Sequence, residues 1–310
     1  MAVIPDRFQF ASAPDSWGVL DYPGPSWNQS YEKMLDEMVA AGYTGTELGP
    51  YGFFPTDPAV LQLQLESRQL KLLGSFVPVV LSDPASAAVA VQQIRKVGDL
   101  LATLQAPFLV LADAQSAERD RISGRVPGDG SRSLNAEQWK NVAKVVEEAS
   151  KVASEFGLDL VFHPHVATFV ETAQECERFF DVTSHTGIGL CLDTGHCLFA
   201  GDDPVREADK YRSILRLVHI KDCDEKLLAE ARRKELTFDQ AIEEKVFTII
   251  GRGSVDFPAF FRMLEKNNYT GWMVVEQDVK FGATTIPPAE SIAASLRYLG
   301  SVVHGMTAKV

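Results

Sequence analysis

Four short apolar runs in the second half of the chain each end on side chains that bind metals: LVFHPH (160–165), GLCLDTGH (189–196), LRLVHIKD (215–222) and WMVVEQD (272–278). Parallel strands arranged around a common axis build a divalent-metal site in this way, delivering imidazole and carboxylate groups one per strand end. The pattern therefore demands at least four neighbouring strands whose C-terminal ends meet at one rim.

The remaining sequence supplies the rest of such a sheet. A first strand, Phe8 to Ala13, runs into PDSWG; a helix follows, with Tyr31, Met34, Leu35, Met38 and Val39 on one face and Gly42 at its end. The pattern then predicts a strand at 44–49, a helix at 58–70 opened by Pro58, a third strand at 71–79, a helix at 84–104 and a fourth strand at 107–113. Residues 114–134 read as a long polar loop, and Asn135 with Gln138 as a capping box opening a helix to about 155. Helices near 169–180, 204–213, 256–267 and 287–299 separate and follow the last four strands, with a charged insertion at 223–250. The alternation counts to eight, which predicts an α/β fold, a (β/α)8 TIM barrel, with the site on its C-terminal rim. A chain of 310 residues with 45% apolar content can bury one such core as a single domain over 1–310.

Charge narrows the partners. A net charge of −12 and a pI near 5.0 argue against nucleic acid or an anionic membrane surface as partner. No apolar stretch reaches membrane-span length, and the opening MAVIPDRFQF lacks the basic and apolar regions of a signal peptide, so a cytoplasmic protein is expected. The four cysteines (176, 191, 197 and 223) form no CxxC pair and are expected to be reduced thiols. A homo-oligomer is compatible with all of this.

Each polar residue at the rim also has a structural alternative. Asp193 and Glu276 follow apolar residues directly and could be buried ion-pair partners; His219 could cap its strand, and His196, three residues past Asp193, could satisfy a turn. Glu47, at the end of the second strand, could cap a helix, and Lys221 could be a solvated lysine neutralised by Asp222. Gly251-Arg252-Gly253 before a helix could bind an anion or form a plain turn. Asp15, Ser16, Trp17 and Asp113 also fall at strand ends, whereas His185 and His304 fall in a connection and in the tail. Ligand-type residues at four consecutive strand ends favour a metal site over four separate accidents.

Over nearly its whole length the chain resembles the xylose-isomerase-like barrels of sugar isomerases, epimerases and dehydratases. The residues that carry the likeness are APDSWGV (13–19), AGYTGTELGPYGFFP (41–55), FHPHVAT (162–168), LCLDTGHCLFAGDDP (191–204), VHIKD (218–222), GRGSVDF (251–257) and NYTGWMVVEQD (268–278). GTELGPYGF with FHPH points to the inosose (2-keto-myo-inositol) dehydratase branch. The resemblance implies one divalent cation held by Asp193, His219, Glu276 and a strand-five ligand. Isomerases of this kind commonly carry glutamate at that last position, where this chain has His163-Pro164-His165. Strand parity favours His163 as ligand, and His165 shares the parity. The mixed nitrogen and oxygen set suits Mn, Co, Fe or Zn.

The implied activity is a metal-dependent lyase of carbohydrate metabolism and inositol catabolism, removing water from a polyol ketone or keto-sugar through an enediolate. A sugar isomerase or epimerase is the alternative. Glu47 and Glu276 are the candidate bases, His196 and Lys221 the candidate acids or oxyanion partners, and Trp17, His165, Arg252 and Gln277 the candidate substrate contacts.

Overall fold

Alternation along the first strand sets the pattern of the whole sheet. In the computed structural model, which describes residues 7–20, 27, 29–280, 282 and 286–307, β1 (Phe8–Ser12) turns Phe8 and Phe10 outward under the helices and Ala11 inward. The strands that follow in the same sheet are β2 (Gly45–Thr46), β3 (Lys71–Leu72), β4 (Phe76–Val79), β5 (Phe108–Asp113), β6 (Asp159–Phe162), β7 (Gly189–Asp193) and β8 (Leu215–Ile220). A short antiparallel pair, β9 (Asp222–Cys223) and β10 (Phe247–Thr248), stands apart, and β11 (Gly271–Val275) closes the series. Every pairing in the main sheet is parallel, in the order β3-β2-β1-β11-β8-β7-β6-β5-β4.

The two ends of that order are halves of the expected third strand, and the residues between them close the ring. Leu73 donates its N–H to Thr46 O at 3.0 Å and accepts from Phe108 N–H at 2.9 Å; Gly74 O accepts from Leu48 and Ser75 O from Val110. The eight-stranded barrel is therefore complete, as the sequence pattern predicts. A Cβ on Gly74 would lie 2.7 Å from the Phe108 carbonyl, so the seam requires glycine.

Ala11, Ala13, Leu73, Val110, Val161, Cys191, Leu217 and Val274 fill the barrel interior. Small and medium side chains fit because eight strands leave a lumen only wide enough to be packed. Phe76, Phe108 and Trp272 pack against this interior group, and most of the other large apolar residues lie outside, between sheet and helices. There Phe162 stacks on Phe179 at 3.6 Å between centroids, and Phe260 and Phe261 are fully buried; each such ring contributes roughly 1.5–3 kcal/mol of transfer free energy.

The surrounding helices begin where the sequence signals them. α1 (Tyr31–Ala41) ends at Gly42 in the left-handed region. α2 (Pro58–Glu66) and α3 (Ala87–Thr103) follow, and the capping box of Asn135 and Gln138 opens α5 (Ala136–Glu155). The expected loop 114–134 contains a short helix, α4 (Ala117–Asp120), tied down by a fully buried Arg119 that bonds both oxygens of Glu175 at 2.6 and 2.9 Å. Glu175 lies in α6 (Ala173–Thr183), which starts later than the sequence suggested because Thr172 is its cap.

Beyond the rim strands come α7 (Thr194–Ala200) and α8 (Pro204–Lys210). The charged insertion is structured: α9 (Glu225–Arg233), α10 (Phe238–Glu243) and the β9–β10 pair enclose their own apolar cluster with Phe199, Leu228, Phe238, Ile242 and Phe247. α11 (Phe257–Lys266) and α12 (Pro288–Thr307) finish the ring, and His304 lies in this last helix rather than in a free tail.

Candidate metal centre and its cavity

Period-two alternation carries the interior residues into the site. Two positions after the lumen residues Val161, Cys191, Leu217 and Val274 stand His163, Asp193, His219 and Glu276, and these four converge, with one ligand atom from each lying within 4.8 Å of the others. Two positions further on stand His165, Gly195, Lys221 and Asp278. The inner tier can hold a metal; His165, Lys221 and Asp278 of the outer tier, with His196 from the first turn of α7, line the cavity above it.

Gly195 occupies the one outer position without a side chain. A Cβ there would come 2.7 Å from Lys221 Cγ, so its absence is what admits the lysine stem.

The inner tier has the free valences a cation needs. Asp193 Oδ1 caps α7 by accepting from Gly195 N–H at 2.7 Å and His196 N–H at 2.8 Å, whereas its buried Oδ2 makes no hydrogen bond. His163 Nδ1 and His219 Nδ1 are also buried without hydrogen-bond partners. His163 Nε2 lies 3.7 Å from Asp193 Oδ2, and His219 Nδ1 lies 3.1 Å from Glu276 Oε1. Metal bonds of roughly 2.0–2.2 Å place ligands up to about twice that distance apart, so a small contraction suffices. Two imidazoles and two carboxylates fit a divalent ion in charge and donor type.

Around this group the charges are tightly compensated. Lys221 Nζ reaches Asp278 Oδ1 at 2.8 Å, His196 Nε2 at 3.1 Å, Glu276 Oε2 at 3.2 Å and Asp193 Oδ2 at 3.4 Å. Burial would lower the lysine's pKa, but Asp193, Asp278 and Glu276 outweigh it and hold the ammonium well above its usual range. Burial likewise pushes Glu276 up, but His219 and Lys221 overcome it and bring it down to about 2. For His165 burial, reinforced by His163 and Lys221, lowers the pKa to about 3, so the ring is neutral. Glu47, buried at 2% exposure, meets His219 Nε2 through Oε1 at 3.1 Å.

The cavity over these groups measures about 300 Å³. Phe76, Pro50 and Pro78 form part of its apolar wall, and Phe238 and Ile242 of the insertion form another part. Asp113 also lines it, but accepts from the backbone N–H groups of Leu81 and Phe169, and burial lifts its pKa to about 6.

The structure brings Glu47, His163, His165, His196, His219, Lys221 and Glu276 to this cavity, with Asp193 just beneath it. It does not bring Trp17, Arg252 or Gln277 there. Trp17 lies in a 3-10 turn (Pro14–Trp17), packs in the outer core and donates its indole N–H to Glu37 of α1 at 2.7 Å. Gln277 has the opposite parity to Glu276, and its side-chain amide meets Phe247 O at 3.4 Å. Exposed Arg252 shares with Gln277 a smaller neighbouring hollow of about 120 Å³. The Gly-rich turn is already filled from within: Asp222 accepts from the N–H groups of Gly251, Gly253 and Val255. Asp278, on the favourable parity, is the site residue to which the sequence reading gave no role.

Comparison with known proteins agrees with this geometry. A family model described as xylose isomerase-like TIM barrel matches residues 35–302. An inosose dehydratase of Clostridium perfringens (strain 13) is 30% identical over 266 residues, covering 86% of this chain and 88% of that one. Among solved structures, the IOLI protein with a bound zinc atom superposes with a TM-score of 0.71 at 16% identity, covering 96% of this chain and 98% of that one. A 3-keto-D-glucoside 4-epimerase from E. coli superposes at 0.69 and 16% identity, covering 95% and 99%.

Proposed function

The chain belongs to the xylose isomerase-like TIM-barrel family, and on that premise we propose that it is a carbon–oxygen lyase that removes water from a keto-inositol or a related keto-sugar. The likeness to inosose dehydratase over most of both chains carries this reading. His163, Asp193, His219 and Glu276 would hold one divalent ion, Mn, Co, Fe or Zn, which when bound supplies Lewis acidity toward a ketone oxygen and its neighbouring hydroxyl.

The chain's own residues then divide the proton work. Glu276 belongs to the ligand group and both its oxygens have cationic or imidazole neighbours, whereas Glu47 stands outside that group with one oxygen against His219, so Glu47 is the base assigned to the proton α to the ketone. The electron pair left behind forms the enediolate, which expels the β-hydroxyl; that oxygen takes a proton from Lys221 or His196, the candidate acids, and departs as water, and the proton held by Glu47 restores the acid through solvent. Lys221, held as an ammonium, is placed to donate a hydrogen bond to the departing oxygen. Among the described residues lining the cavity it is the one lysine or arginine, and its charge is spent on carboxylates, which favours an uncharged polyol ketone over a sugar phosphate.

One observation favours a second reading. Glu47 and Glu276 flank the two ring nitrogens of His219, so two carboxylates stand near one site, as proton return to a carbon in an epimerase would need. Incubating metal-loaded protein with 2-keto-myo-inositol in heavy water separates the two. A product lighter by one water, with little deuterium in recovered substrate, is expected. An isomer of unchanged mass would replace the lyase by the epimerase.

A further inference from the structure

We propose that Asp278 is a positioning residue that, by holding the Lys221 ammonium against His196, fixes the tautomer of that histidine with its proton on Nδ1. Asp278 is 6% exposed, and its Oδ1 makes the shortest of the ammonium's contacts, 2.8 Å. An ammonium has three N–H donors and no lone pair, so the ring nitrogen facing it must accept. That nitrogen is His196 Nε2 at 3.1 Å. The competing arrangement would protonate Nε2 and aim it at Asp278 Oδ2. That distance is 3.6 Å, outside hydrogen-bond range, and Oδ2 makes no hydrogen bond.

The ring cannot easily turn to escape the arrangement. His165 packs against it at 3.9 Å between centroids, and Phe247 and Phe238 flank it at 5.5 and 5.6 Å. The missing side chain at Gly195 gives the lysine stem its place. His196 is thereby left with a buried Nδ1–H that makes no hydrogen bond to the protein, and with its ring held in one orientation beside the Lys221 ammonium.

The kinetic consequence rests on the lyase reading, while the tautomer does not. In zinc-loaded protein labelled with ¹⁵N-histidine, long-range proton–nitrogen correlation should show His196 as the Nδ1–H form, assigned by its loss in His196→Gln. Asp278→Asn removes the charge that holds the ammonium in place and should move His196 to the Nε2–H form or a mixture. Asp278→Glu, which keeps the carboxylate, should retain Nδ1–H. With 2-keto-myo-inositol, Asp278→Asn should keep its metal and lose roughly tenfold or more in kcat with KM changed by less than about twofold. An Asp278→Asn protein still wholly in the Nδ1–H form would overturn the proposal, as would a wild type found as Nε2–H. A tautomer change in a protein that dehydrates no keto-inositol would leave Asp278's role standing and remove the substrate reading instead.

Discussion

At the scale of single residues, what distinguishes the ligands is which oxygen or nitrogen remains free. Asp193 divides its carboxylate, one oxygen spent on the cap of α7 and the other, without a hydrogen bond, standing 3.4 Å from the Lys221 ammonium and 3.7 Å from His163. His163 and His165 share a parity, but only His163 belongs to the converging group, because each further pair of residues climbs about 6.6 Å along the rim. His163→Ala and Asp193→Ala should therefore lose the ion on dialysis while His165→Ala retains it; elemental analysis decides, and equal retention in all three would refute the site. Gly195→Ala is a test of a different kind. The added methyl would stand 2.7–2.8 Å from the Lys221 stem, so the variant should fold and bind metal yet lose about a hundredfold in turnover. Unchanged turnover would mean that Lys221 has no part in the reaction.

At the scale of elements, the strand ends were legible because one rule, alternation, links an apolar lumen residue to the ligand two positions on. The same rule places Asp278 inward and Gln277 outward, so the signal for Asp278 was present in VEQD. Trp17 was harder to place from sequence, since a 3-10 turn breaks the alternation just before it. The structure of the insertion was hidden by its many charges, whose solvent-facing stripe outweighs the buried Leu228, Phe238 and Ile242. The loop helix α4 depends on a distant partner that no local pattern reveals, the Arg119–Glu175 pair with Glu171 Oε2 3.9 Å away. Arg119→Met should strand these carboxylates and cost about 3–5 kcal/mol in denaturant unfolding.

Glu171 makes that region sensitive to pH. Burial raises its pKa to about 7 against the opposing N–H groups of Gly124 and Ala167 and the charge of Arg119. A raised folded-state pKa contributes stability that is present below the ordinary carboxyl value of 4.5 and is lost as pH climbs through about 7. The stability of wild type relative to Glu171→Gln should therefore fall between pH 4.5 and pH 8, by an amount on the order of a few kcal/mol. A difference independent of pH would show that the carboxyl titrates alike in folded and unfolded chains.

At the scale of the molecule, the closed sheet and the metal group depend on each other. The four inner ligands come from β6, β7, β8 and β11 or the residues just past them, so an ion held there ties half the staves of the barrel together at one end. Ligand linkage makes an ion present at a hundred times its dissociation constant worth about 2.7 kcal/mol. Chelation should lower the unfolding midpoint accordingly, and re-addition should restore it; a midpoint indifferent to both would deny the ion a place in the folded state. The two-residue step between lumen and ligand also governs how this protein can change over time. Substitution at His165, Lys221 or Asp278 changes one side chain and leaves the in-and-out alternation of its strand as it was. Loss or gain of a single codon within one of these strands would instead turn its interior residue, its ligand and its outer-tier group together into the apolar layer beneath the helices. Small length changes are thereby confined to the loops, and new chemistry on this frame is open to replacement of residues but closed to their insertion.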